Sequence, residues 1–161
     1  MTPLYDSEGL RILTEQECHD LLGTAPVGRI VFTDRALPAI QPVTFAIANG
    51  EIVILTPAGS KLAAATRNAV VAFEIDDFNH NTTSGWSVVI IGHARVIAEN
   101  DELTRLPLTP WTPDSPVHYI AITPELISGR HLPPPNQPKN PTPREPKGTR
   151  VPKEAREPEG A

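Results

Sequence analysis

Cysteine is almost missing from this chain. Cys18 is the only one in 161 residues, so no intramolecular disulfide and no cysteine-built zinc site can form. Long apolar runs are missing too: the uninterrupted ones are a handful of residues, far short of the roughly 20 that span a bilayer. No charged stretch followed by an apolar segment opens the chain. These absences predict a cytoplasmic protein with no membrane partner. The five histidines (His19, His80, His93, His118, His131) form no HxH or HExxH pair, so no metal centre is expected. No G-x-S-x-G elbow surrounds a serine, and lone Cys18 reads as a small buried hydrophobe, which leaves a protease or esterase without support.

Lysine is scarce in an informative way. Residues 1–131 carry 8 Lys+Arg against 15 Asp+Glu, and Lys61 is the only lysine among those eight. A body of net charge −7 argues against nucleic acid as the main partner, since neutralising phosphates needs a basic face. The last 30 residues, Leu132 to Ala161, invert the pattern, with 9 of the 19 prolines, a net charge of +2 and only four apolar side chains. Four apolar side chains do not offset the entropy of ordering such a segment, so residues 132–161 are expected to be a disordered or polyproline-like tail, with partner docking as one use. Residues 1–131 have the apolar content of a globular domain that builds one core.

Within that body, Thr14-Glu15-Gln16-Glu17 has the form of a capping box and predicts a short helix ending at Gly23. Strands are expected over Val27–Thr33, Ala39–Ala48, Glu51–Thr56, Ala69–Asp76, Trp86–Ala98 and Val117–Ile122. Asn49-Gly50 joins the second and third as a type I′ hairpin turn. Short helices are expected at Leu62–Arg67, where alanines favour one, and over Glu99–Leu106. Six strands with a small helix between the third and fourth predict a closed, mainly antiparallel β-barrel. Val88 to Ile91 is apolar on both faces, so its outer face requires a cover, most simply a second copy of the chain.

One segment carries chemistry. Thr56-Pro57-Ala58-Gly59-Ser60-Lys61 runs from a strand end through small residues into a helix start, which gathers a hydroxyl, an ammonium and free backbone N–H groups around one point. That combination suits a phosphate. It lacks the glycine spacing of a Walker A loop. Gly85-Trp86-Ser87 adds an indole that either stacks on a planar ring or rests in the core.

In order along the chain, Gly28-Arg29-Ile30, Pro42-Val43-Thr44-Phe45, Thr56, Gly59-Ser60-Lys61-Leu62, Val70-Val71-Ala72-Phe73-Glu74, Gly85-Trp86-Ser87-Val88, Gly92-His93-Ala94 and Ile122 to Arg130 resemble the pyridoxamine 5′-phosphate oxidase-like family of FMN-binding split barrels. The resemblance covers Leu13 to about Leu132. It implies a homodimer with FMN at the interface and a small-molecule substrate. It also implies that Val43 and Thr44 face the ring, that Thr56 bonds the ribityl chain or phosphate, and that Ser60 and Lys61 take the phosphate. Trp86 and Ser87 fall where the family's oxidases touch the flavin, and Arg130 where they hold an aromatic residue near it. The vitamin-forming oxidases end in an Arg-Leu-His-Asp-Arg type sequence that binds substrate, whereas here Arg130-His131-Leu132 runs into prolines, which argues against pyridoxamine phosphate as the substrate. The expected activity is that of an FMN-dependent oxidoreductase. The alternatives are a reductase using a deazaflavin coenzyme and a non-catalytic flavin- or haem-binding module, with His93 or His131 as the haem ligand.

Overall fold

The computed structural model describes residues 2–135. Two short strands, β1 (Leu4–Tyr5) and β2 (Arg11–Ile12), precede helix α1 (Glu15–Leu22). Strands β3 (Val27–Asp34), β4 (Leu37–Ala48) and β5 (Glu51–Pro57) follow, then helix α2 (Lys61–Ala65). Strands β6 (Ala69–Asn79), β7 (Ser84–Ile97) and β8 (Val117–Leu132) complete the order. All pairings are antiparallel in the sequence β8-β5-β4-β3-β6-β7, and β7 pairs again with β8, so six strands close a ring. This is the expected barrel, with the small helix between its third and fourth strands. Most of the expected disordered tail, from residue 136 onward, lies outside the described residues, and β8 ends at Leu132, one residue past the expected boundary of the body.

Local chemistry explains the elements. Thr14 accepts from the Glu17 amide at 3.2 Å while the Glu17 carboxylate accepts from the Thr14 amide at 2.8 Å, so two free donors at the start of α1 are satisfied. Gly23 closes α1 in a right-handed conformation, with φ −80°. Asn49 and Gly50 have φ of 52° and 76°, the two positive values a type I′ turn demands, and Ala48 pairs with Glu51 across it. The β3–β4 hairpin turns the same way through Arg35 and Ala36, at φ 50° and 64°, without a glycine.

Two elements differ from expectation. The helix expected over Glu99–Leu106 is a single 3₁₀ turn, Leu103–Arg105. The Asn100 side chain takes the amides of Glu102 and Leu103, and Leu106 is held extended before Pro107, which closes off helix propagation on both sides. Strand β8 runs ten residues beyond Ile122, through Pro124, because Pro124 sits at a bulge. Leu126 faces Ile91 and Pro124 faces Gly92, so Glu125 is the extra residue of the bulge, the setting in which a sheet tolerates proline. A side chain at Gly92 would place its Cβ 1.9 Å from the Thr123 carbonyl oxygen, so the bulge and this glycine belong together.

The barrel interior is aliphatic. Ile30, Ile52, Ile54, Ile75, Ile90, Ile120 and Ile122 are fully buried with Phe73, whose ring meets Phe45 edge-on at 5.0 Å. α1 covers one end through Cys18 and Leu22. A smaller cluster of Val53, Leu103 and Tyr119, with Leu106 and Leu108 against it, anchors the long segment between β7 and β8.

Candidate functional site

The inward alternation of β5 leaves Thr56 as its last buried residue, at 1% exposure. A buried hydroxyl needs a partner, and Thr56 Oγ1 lies 3.0 Å from Ser60 Oγ. Ser60 in turn caps α2 by accepting from the Ala63 amide at 3.0 Å. Between them Gly59 takes φ 77°, which lets the chain fold back so that the two hydroxyls meet. Lys61 follows with its ammonium in solvent, 3.9 Å from Asp34 at the end of β3. At that distance, with the lysine side chain 80% exposed, the pair is loose and Lys61 is free to turn to another anion.

Two clefts flank this loop. One, of about 460 Å³, is lined by Asp34, Arg35, Gly59, Ser60 and Lys61. The other, of about 240 Å³, lies on the far side of Thr56 and is walled by Gln41, Pro42 and Val43 of β4, Leu55 and Pro57 of β5, and Trp111. Val43 is buried and Thr44, the next residue on β4, is half-buried. Thus Val43 of β4 and the Thr56–Lys61 loop form one neighbourhood in which an apolar cleft adjoins two hydroxyls and an ammonium.

Trp86, Ser87 and Arg130 form a second group at the opposite end of β8. Ser87 pairs with Arg130 and Trp86 with His131, whereas Thr56 pairs with His118. Along β8, His118 and Arg130 are twelve residues apart, but across the sheet Pro42 pairs with Arg29, Arg29 with Glu74 and Glu74 with Val89, so the β4 wall lies only three strands from the Trp86–Ser87 end of β7. Trp86 is partly buried against the main core. Arg130 Nε donates to Asp6 at 2.7 Å, and Asp6 also accepts from the amides of Leu10 and Glu8. The Leu10 amide, foremost, and the Arg130 guanidinium lower the pKa of Asp6. His93, one of the two histidines considered for haem, is bonded to Glu125.

Sequence reasoning missed Trp111 and Asp34. The only local signal for Trp111 was an indole set among prolines in a loop. Its segment is anchored by Leu106 and Leu108, which pack on Val53, Leu103 and Tyr119, and Val53 and Tyr119 come from other strands. Arg29, part of the quoted Gly28-Arg29-Ile30 motif, bridges Glu74 and Asp76 on the outer face at 3.1 and 2.9 Å. Burial, followed by the neighbouring Asp76 carboxyl, pushes the pKa of Glu74 up. Among the described residues no group of three or more His, Cys, Asp or Glu side chains is arranged to hold a metal ion.

Fold and site together define a split barrel with a hydroxyl- and ammonium-bearing loop after its third barrel strand. A family model described as pyridoxamine 5′-phosphate oxidase matches residues 14–131, and the chain belongs to that family. It is 35% identical over 124 residues to the uncharacterized protein Rv0080 of Mycobacterium tuberculosis, covering 73% of this chain and 82% of that one. Among solved structures it is similar to an FAD binding protein from Mycobacterium smegmatis, with 36% identity and a TM-score of 0.67 over 75% of this chain and 97% of that one. A conserved protein of unknown function from Corynebacterium diphtheriae follows at 28% identity and a TM-score of 0.63, over 77% and 98% of the two chains.

Proposed function

We propose that this protein is a flavin-binding oxidoreductase that holds its cofactor between two copies of the chain and acts on a small molecule other than pyridoxamine phosphate. The observation that carries the reading is the convergence of Thr56, Ser60 and Lys61 beside the apolar cleft of Pro42, Val43 and Leu55. The donor set fits a flavin nucleotide, which needs hydroxyl and cationic donors at its phosphate and an apolar wall at its ring. The redox chemistry of such a protein belongs to the flavin ring, and the chain supplies binding and orientation. Lys61 supplies charge, Ser60 and Thr56 supply hydroxyls, and the β4 segment Pro42–Thr44 supplies a wall.

Two observations support a cofactor shared between copies. Trp86, Ser87 and Arg130, assigned to the cofactor by resemblance, lie at the far end of β8 from the position opposite Thr56, and a second copy would bring such a group to the Lys61 loop. The outer face of the barrel also carries an unbroken apolar row across five strands. Ile40 pairs with Val31, Val31 with Ala72, Ala72 with Ile91 and Ile91 with Leu126. Ile40 and Leu126 are each 66% exposed and Ile91 39%. Such a row is the mark of an association surface.

FMN is the cofactor the family resemblance implies, while the Mycobacterium smegmatis neighbour is described as binding FAD. Titration of the purified protein with FMN, FAD and a deazaflavin coenzyme, followed by absorbance and flavin fluorescence, decides among them. Saturable binding of FMN or FAD is expected; binding of neither, or a preference for the deazaflavin, overturns the reading. Turnover with NADPH and an artificial acceptor above the rate of free flavin distinguishes an enzyme from a flavin carrier.

A further inference from the structure

We infer that Trp111 is a ligand-contact residue whose indole stacks on a planar ring of the flavin nucleotide in the cleft beside Thr56. The inference rests on the flavin-binding reading and adds to it a residue from the β7–β8 connection. Three observations carry it. Trp111 is 68% exposed yet walls the same cleft as Pro42, Val43 and Thr56. The segment that carries it is pinned on both sides: Leu106 and Leu108 pack on the Val53–Tyr119 cluster, and the Pro116 carbonyl accepts from the Ala58 amide at 2.7 Å. Ala58 lies inside the Thr56–Lys61 loop, so this bond ties the end of the segment that carries Trp111 to the loop with the phosphate-type donors. Prolines at 107, 110, 113 and 116 limit the conformations of the segment and hence the entropy lost when a ring docks.

The cleft volume sharpens the assignment. About 240 Å³ lies below the roughly 300–1,000 Å³ of sites that enclose a whole drug-sized ligand. It accommodates one ring system of a nucleotide, with the remainder lying outside along the loop. The ring is either the isoalloxazine common to FMN and FAD or the adenine that FAD alone carries. Both have the π-face that an indole stacks on.

The test compares the parent chain with Trp111→Ala and Trp111→Phe, each titrated with FMN and FAD, with tryptophan fluorescence and thermal melting recorded in parallel. Trp111→Ala is expected to weaken binding about tenfold and Trp111→Phe to restore most of it. Equal weakening for both flavins assigns the isoalloxazine, and weakening confined to FAD assigns the adenine. Ligand-induced quenching in the parent should exceed that in Trp111→Phe, where Trp86 is the remaining indole. If the parent binds flavin, the variants melt like the parent and Trp111→Ala binds both flavins with unchanged affinity, the inference is overturned while the flavin reading stands. If the parent binds neither flavin, the reading beneath it has failed.

Discussion

At the scale of single residues, the isolated lysine and one motif glycine show two kinds of constraint. Among the described residues Lys61 is held by a loose contact to Asp34, so little would be lost on its turning to the proposed phosphate. Lys61→Ala should weaken flavin binding by about 1.5 kcal/mol or more, roughly tenfold, the size of a charge-assisted hydrogen bond. Lys61→Arg should keep most of the affinity; equal affinity of the alanine variant and the parent removes Lys61 from the site. Gly28 is constrained by packing instead. A Cβ there would lie 2.2 Å from Phe73 Cζ, and Phe73 is the ring at the centre of the core. Gly28→Ala should therefore cost about 1–3 kcal/mol of stability by overpacking, read as a lower melting temperature with flavin affinity per folded molecule unchanged. An unaltered melt would show that Phe73 has room to move. Both residues stood out in the sequence, but only contact geometry separates a binding role from a packing role.

At the scale of elements, the start of α1 couples a local signal to a long-range one. Glu17 closes the capping box that the sequence announces, and it also accepts from Arg11 of β2 at 2.8 Å. The Arg11 guanidinium, followed by the Thr14 amide, lowers the Glu17 pKa from 4.5 to about 2. A folded-state pKa below the unfolded one means that the contribution is complete above about pH 4.5 and is lost as the pH falls toward 2. Glu17→Gln should flatten the acid side of the melting temperature against pH within that window. An unchanged acid slope would show that other carboxylates govern it. The Asn49-Gly50 hairpin and the Thr14 cap were readable because adjacent residues decide them. The strands β1 and β2 were not: each is two residues long and exists only by pairing, β2 with the end of β8 and β1 with β2. The extension of β8 past Pro124 is carried by the family resemblance over Ile122 to Arg130 and not by the local pattern, because proline opposes a strand locally and the bulge against Gly92 accommodates it.

At the scale of the whole molecule, the outer row Ile40–Val31–Ala72–Ile91–Leu126 bears on assembly. A sheet face of this kind exposed to water favours association through apolar burial. For the proposed dimer, Ile91→Lys should shift the protein to monomer in sedimentation velocity and lower flavin affinity with it, because a group around Arg130 shared between copies would no longer be supplied. A variant that remains dimeric would move the interface elsewhere. A variant that becomes monomeric with unchanged affinity would place the whole cofactor site within one chain.

The amino-acid sequence by itself determined the six-stranded barrel, its one small inter-strand helix and the hydroxyl–lysine loop, because alternation, turn residues and caps act over a few neighbouring positions. It also carried the order of motifs that belongs to the family. Tertiary structure alone decided which of those motifs meet. Register along β8 sets Thr56 opposite His118 and Ser87 opposite Arg130, twelve residues further along the strand. The anchoring of Leu106 and Leu108 brings Trp111 over a cleft formed by residues some 55 to 70 positions earlier. Contacts between residues so distant in sequence depend on how strands close and loops pack, and no local pattern encodes them.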